Sequence, residues 1–362
     1  MPAICPPAAF ALLVPAVAAA SAPPVPPVPQ RLPPRGWQSV GRHAFAHLAK
    51  REGPLNASDA DFLARFSMVT FEKPQDQAGL GWAEDKMDAA AWAVKAVNPK
   101  VWALRYINGL LDFTGAGTNF SLAARAKAAG LLWPPFHANW STFDVASPEM
   151  RQLLVDECVN ATDLRKGPFD GCFIDRANFG KQMEADYRIN SRTPAGFTPQ
   201  MVSALAAAQP LLLSEMQAAV GPKRLILAKE HGGLAGYGDG SFVNALMMSD
   251  GLCSRYAKIN AAEHRWLDSA ACLAQMEAAL AAVSRGQLLQ ARAMGPLSGP
   301  SGDGNFSFTL AAFLAVAGDA SFFSYADNSG HNSYELGYTP WRPEYDWALG
   351  PPLGLAQRRG SY

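Results

Sequence analysis

The sequence predicts an α/β protein, a single-domain (β/α)8 TIM barrel, from three observations. Short β-rich runs recur from Arg65 onward. Each is followed by an alanine-rich or amphipathic stretch long enough for a crossover helix. The runs number eight, the count that closes a parallel sheet on itself with helices outside. A doubly wound open sheet is the alternative arrangement. With 362 residues, 49% hydrophobic and 17% charged, the chain can bury one large core.

Taken in order, the expected strands are Phe66–Phe71, Val101–Ile107, Leu131–Trp133, Gly171–Asp175, Leu225–Ala228, Ala245–Met248, Leu288–Ala291 and Ser321–Tyr325. The third must be short, because Pro134 and Pro135 have no N–H to give a ladder. Helical patterns fall at Glu84–Val97, Pro148–Ala161, Pro199–Val220, Ala261–Arg285 and Phe308–Ala317. Two helix starts are clearly marked. Ser147 before Pro148 and Thr198 before Pro199 each join an N-cap hydroxyl to a proline at the first helical position.

Ahead of the barrel, Ala8–Ala20 is an apolar run ending in small residues, the form of a signal peptide over residues 1–22. Secretion is the expected localisation, with organelle targeting as the alternative. Residues 23–64 then read as a Pro-rich linker and N-terminal segment, 65–330 as the barrel, and 331–362 as a C-terminal extension packing on it. Asn-x-Ser/Thr acceptors at Asn56, Asn119, Asn139, Asn160 and Asn305 agree with passage through an oxidising lumen and with a glycoprotein. Beyond the leader stand Cys158, Cys172, Cys253 and Cys272, with no CxxC pair. Cys253–Cys272 is the first bridge to test, while Cys158 and Cys172 fit a bridge and two buried thiols equally.

Charge and motifs exclude several functions. Lysine plus arginine (31) balances aspartate plus glutamate (31), so no net field favours nucleic acid or a membrane surface. His43 and His47 have i, i+4 spacing but no HExxH. No GxSxG elbow, GxGxxG fingerprint or phosphate-cradling P-loop occurs.

In a (β/α)8 barrel, residues just past the strand C-termini converge on one mouth. That rule selects Glu72, Asn108, Asp112, His137, Asp144, Asp175, Arg176, Lys229, Glu230, His231, Asp250, Arg292, Asp327 and Asn328. Carboxylates dominate, and paired carboxylates suit glycosidic bond cleavage, which needs neither metal nor organic cofactor. Asp175 ends a strand that otherwise excludes charge, so it is the expected general acid. Its partner is Glu230 or Asp250, with Lys229 placed to hold Glu230 ionised. Glu72, Asn108, His137, Arg292 and Asp327 would contact substrate, and Tyr106, Trp133 and Trp140 would stack on sugar faces. A catalytically inactive carbohydrate-binding barrel is the alternative function. A metal-dependent lyase or isomerase using Glu72, Asp175 and Glu230 is a third.

The run Phe169–Phe179 (FDGCFIDRANF) resembles the "fDGvFlDn" strand of the hypothetical glycosyl hydrolase-like TIM-barrel families. Phe66–Lys73, Ala96–Asn108, Phe143–Val155 and Trp341–Gly354 resemble that group's successive blocks. More distantly, the chain is similar to the endo-alpha-1,4-polygalactosaminidase family, whose catalytic carboxylates follow the fourth and sixth strands. That resemblance implies Asp175 and Asp250, with aspartate at the second position where the family has glutamate. It also implies a glycosidase acting on a polysaccharide or glycoconjugate.

Overall fold

A computed structural model describes residues 39–350 except 115–117, 138–139, 164–166, 179–195, 231–242, 249–251, 254–268, 296–299 and 328–334. Ten strands are present among the described residues: β1 (Phe45–Leu48), β2 (Met68–Phe71), β3 (Trp102–Asn108), β4 (Leu132–His137), β5 (Trp140–Phe143), β6 (Gly171–Asp175), β7 (Leu225–Glu230), β8 (Ala245–Met248), β9 (Leu288–Gly295) and β10 (Ser321–Asp327). The helices are α1 (Ala57–Leu63), α2 (Ala83–Val97), α3 (Ser121–Ala128), α4 (Pro148–Thr162), α5 (Pro199–Val220), α6 (Ser269–Ser284) and α7 (Pro300–Val316). Eight strands form one sheet in the order β1-β2-β3-β6-β7-β8-β9-β10, and every neighbouring pair is parallel. Parallel bridges Ala44↔Phe323 and Ala49↔Glu335 bring the ends together. The fold is a (β/α)8 barrel.

The expected count of eight is right, but its membership changes at two places. Leu131–Trp133 is not a barrel strand: β4 pairs antiparallel with β5 in a separate two-stranded sheet, and β3 pairs directly with β6. Pro134 and Pro135 explain this, since a central barrel strand must donate on both sides. The missing place is filled by β1, in a stretch the sequence reading leaves ahead of the barrel. Among helices, the expected Phe308–Ala317 begins earlier, as α7, while α1 and α3 were not anticipated. Asn56 and Asp59 form a reciprocal capping box that starts α1. Ser147 and Thr198 cap α4 and α5 as expected. Among the described residues, no helix is long and apolar enough to cross a membrane.

Strand alternation sets the two faces of the wall. Phe71, Arg105 and Cys172 share a register row and face the helices. There Arg105 meets Glu157 at 2.8 Å and Asp88 at 3.4 Å. Met68, Phe173 and Gln290 fill the interior. At the bottom, Trp341 and Tyr345 from the C-terminal segment pack edge-on, Trp341 also meeting Phe66 edge-on at 5.3 Å and lying beneath the Arg65 guanidinium at 4.2 Å.

Both cysteine pairs are disulfides, Cys158–Cys172 and Cys253–Cys272. The first ties α4 to β6. Reading Cys158 and Cys172 as two thiols is therefore excluded.

Candidate active site

The strand β6 and its lead-in show what each position of the FDGCFID run does. Asp170 accepts from Ala103 N at 2.9 Å and Lys95 Nζ at 2.7 Å, locking α2 and β3 to the start of β6. Gly171 leaves no room for a side chain: a Cβ there would stand 2.4 Å from the Leu225 carbonyl. Cys172 points outward into the disulfide. Phe173 points inward, 4.5 Å from the His47 ring and 5.8 Å from Tyr106. Asp175 follows two residues later on the same inward face, at the C-terminal end of the fourth barrel strand.

Its carboxylate is surrounded by donors. Tyr106 Oη donates to Oδ2 at 2.8 Å, Asn108 Nδ2 reaches the same oxygen at 3.2 Å, Arg176 N donates to Oδ1 at 3.0 Å, and Lys229 Nζ lies 3.1 Å from Oδ1. Asn108 is itself fixed, because its Oδ1 accepts from Leu110 N and Leu111 N. Asn108 Nδ2 also donates to Tyr106 Oη at 2.8 Å, which aims the phenol at Asp175. Burial, then the Asp175 and Glu72 charges, pushes the Tyr106 hydroxyl well above its ordinary range. Arg176 adopts φ 56° immediately after the carboxylate, a strained conformation for a side-chain-bearing residue.

A second carboxylate follows β2, with β3 between it and β6. Glu72 Oε1 accepts from His47 Nε2 at 2.6 Å, and Lys73 Nζ lies 3.1 Å from Oε2. Burial would raise the Glu72 carboxyl, but Lys73 and His47 outweigh it and hold the group at about 2. Burial lowers His47 to about 4. The Lys73 ammonium also rests 4.4 Å from the Tyr106 ring and 4.7 Å from Phe113. Phe113 then meets Trp140 at 4.4 Å.

The β4–β5 hairpin is attached beside this layer. Phe143 N donates to Leu110 O, Asp112 N donates to Ser141 O, and Leu111 bridges Thr142. Trp133, expected at the end of the third barrel strand, and Trp140 are hairpin residues, and Trp133 packs on Phe197.

The structure thus gathers Glu72, Tyr106, Asn108 and Asp175, all nearly buried at 1–6% exposure. Arg292 is completely buried in the barrel interior, where its charge opposes protonation of His47. Lys229, expected to serve Glu230, pairs with Asp175. Asp144 accepts from Ser147 N at the start of α4. His231, Asp250, Asn328 and the side chains of His137, Glu230 and Asp327 lie outside the described residues. His47 was missed as a site residue, its only legible signal being the i, i+4 pairing with His43. Among the described residues, no group of three His, Cys, Asp or Glu side chains is placed to hold a metal ion.

A parallel eight-stranded barrel with carboxylates at the C-terminal ends of its strands is the framework of a TIM-barrel hydrolase. Residues 95–362 match the model of hypothetical glycosyl hydrolase family 15, and the chain belongs to that family. The match begins after β2, so His47 and Glu72 lie outside it. Among solved structures, the chain is similar to the glycoside hydrolase domain of PelA from Pseudomonas aeruginosa, at 15% identity over 80% of this chain and 96% of that one, with a TM-score of 0.49. It is also similar to the chitinase domain of the spore coat protein CotE from Clostridium difficile, at 15% identity over 76% and 68%, TM-score 0.35. A third is the cyclic alpha-maltosyl-(1-->6)-maltose hydrolase from Arthrobacter globiformis, at 13% identity over 85% and 79%, TM-score 0.43. At these scores the likenesses carry no conclusion about substrate or mechanism. No curated protein matches the chain.

Proposed function

We propose that this glycosidase cleaves its polysaccharide or glycoconjugate substrate with a carboxylate pair that includes Asp175. The observation that carries the reading is the set of four donors on the Asp175 carboxyl, one of them cationic. Each favours the anion. Asp175 therefore takes the base or nucleophile role, and protonation of the leaving oxygen passes to Glu230 or Asp250. This reverses the role expected from sequence, because Lys229 pairs with Asp175. Trp133 and Trp140 provide stacking surfaces on the hairpin, and His137, Asp327 and Asn108 provide polar contacts. The two disulfides support export to an oxidising compartment.

Hydrolysis of a glycan panel by the purified protein tests the reading. Asp175→Asn should lower kcat/KM by about 10²- to 10⁴-fold on the glycan that the wild type cleaves. The larger loss between Glu230→Gln and Asp250→Asn should identify the acid. Full activity in a folded Asp175→Asn variant would refute the proposal.

A further inference from the structure

We propose that His47 is a positioning residue: it keeps Glu72 as a permanent carboxylate under the mouth, where that charge stabilises the positive charge developing on the sugar ring. The inference rests on the glycosidase reading, whose transition state resembles an oxocarbenium ion.

Register brings the two side chains together. His47 is the Cα partner of Thr70, so Glu72, two residues further along the same inward face, is its diagonal neighbour. The 2.6 Å bond joins Nε2 to Oε1, leaving Oε2 for Lys73 Nζ and Lys73 N. The His47 ring is fixed edge-on against Phe173 at 86°. Phe173 also contacts Tyr106, so the pair is packed against the same side chains that orient Asp175.

A completely buried carboxylate is costly unless partnered on both oxygens, and His47 and Lys73 meet that need from two strands. The charged or titratable groups acting on the pair are Lys73, Asp175 and Tyr106 around Glu72, and Lys229 and Arg292 around His47. Burial, with Arg292 and Lys229, opposes a proton on His47, so the neutral imidazole donates its Nε2–H to an anionic Glu72. Asp175 acts on the anion through its charge, while Lys73 lies against Glu72 and Lys229 against Asp175. Structural demand alone would be met by an apolar pair of similar volume. The retained charge, placed beneath the mouth, is what a cationic transition state uses.

The test is a double-mutant cycle of His47→Leu and Glu72→Gln, with His47→Gln as the variant that keeps an N–H donor. Hydrolysis of the cleaved glycan is followed across pH. Glu72→Gln should lower kcat about 10- to 100-fold with little change in KM. His47→Leu should move the acid limb of the profile upward, His47→Gln should restore part of it, and the double variant should be no slower than Glu72→Gln. Losses that multiply, or an unmoved acid limb in His47→Leu, overturn the proposal. If His47→Leu fails to fold, carboxyl NMR titration of wild type and His47→Gln decides: a Glu72 midpoint higher in His47→Gln than in wild type supports it, and the same midpoint in both overturns it. An inactive wild type or a fully active Asp175→Asn defeats the glycosidase reading instead. With wild type active and Asp175→Asn silent, a multiplicative cycle defeats only the role of His47.

Discussion

Removing the Cys158–Cys172 bridge should cost a measurable and calculable amount of stability. The two cysteines are separated by 14 positions, so the bridge closes a loop of about 15 residues, for which the chain-entropy relation gives roughly 3 kcal/mol at 25 °C. For a domain of roughly 300 residues, an unfolding entropy of about 2.1 cal/mol/K per residue turns that into a melting shift near 5 °C. The perturbation is Cys158→Ala with Cys172→Ala, measured by calorimetry at one fixed scan rate. The Cys253→Ala, Cys272→Ala variant, melted with and without reductant, supplies a control whose shift isolates the Cys158–Cys172 bridge and leaves both of its sulfurs in place. Both cysteines are completely buried, so the alanine pair should fall slightly further than the reduced control. A double variant melting within 1 °C of wild type would refute the reasoning.

Four other outcomes follow from the same coordinates. Gly171→Ala should destabilise by about 1–3 kcal/mol, because the new methyl meets the Leu225 backbone and must push β7 away; an unchanged urea midpoint would contradict it. Arg105→Leu leaves Glu157 and Asp88 without their shared guanidinium in a largely buried site and should cost about 3 kcal/mol, read from the same titration. Tyr106→Phe keeps the ring but removes a donor from Asp175, so the acid limb of kcat/KM should move to higher pH; an unmoved limb would show that the phenol is silent. Stability should fall on acidification in two overlapping windows. His47 is held at about 4 against an ordinary 6.5, so stability present above 6.5 is lost as pH drops towards 4, where only the unfolded chain takes the proton. Glu72 is held at about 2 against 4.5, so its contribution is lost between those values. A melting temperature flat from pH 7 to 4 would contradict the His47 part.

The barrel was legible because most of its strands are apolar runs separated by helical periodicity, and Asp175 was legible because it interrupts such a run at its end. Glu72 and Asn108 followed from the same strand-end rule. β1 escaped notice because the histidine in Phe-Ala-His-Leu breaks its apolar run and reads as polar until its bond to Glu72 is found. Leu131–Trp133 was misplaced because a β-rich run does not say which sheet it joins; the prolines next to it carried that information. The pairing of Lys229 with Asp175 was hidden for another reason. Sequence adjacency puts Lys229 beside Glu230, but the parallel pairing of β7 with β6 brings Lys229 level with Asp175 on the neighbouring strand. Cys158 and Cys172 meet because a helix running back along the barrel returns the chain to its starting level, which spacing alone does not reveal.

The seam of the barrel lies between its earliest and latest strands. His43 Nδ1 meets the Ser321 carbonyl at 2.8 Å across 278 positions of sequence, and Val40 N donates to the Trp347 carbonyl. At a ribosomal rate of about 5–20 residues per second, β1 waits roughly 15–60 s before the strand that completes its pairing has been made. During that interval its open edge is a template for stray association, so the nascent chain needs shielding from its neighbours until β10 has been made.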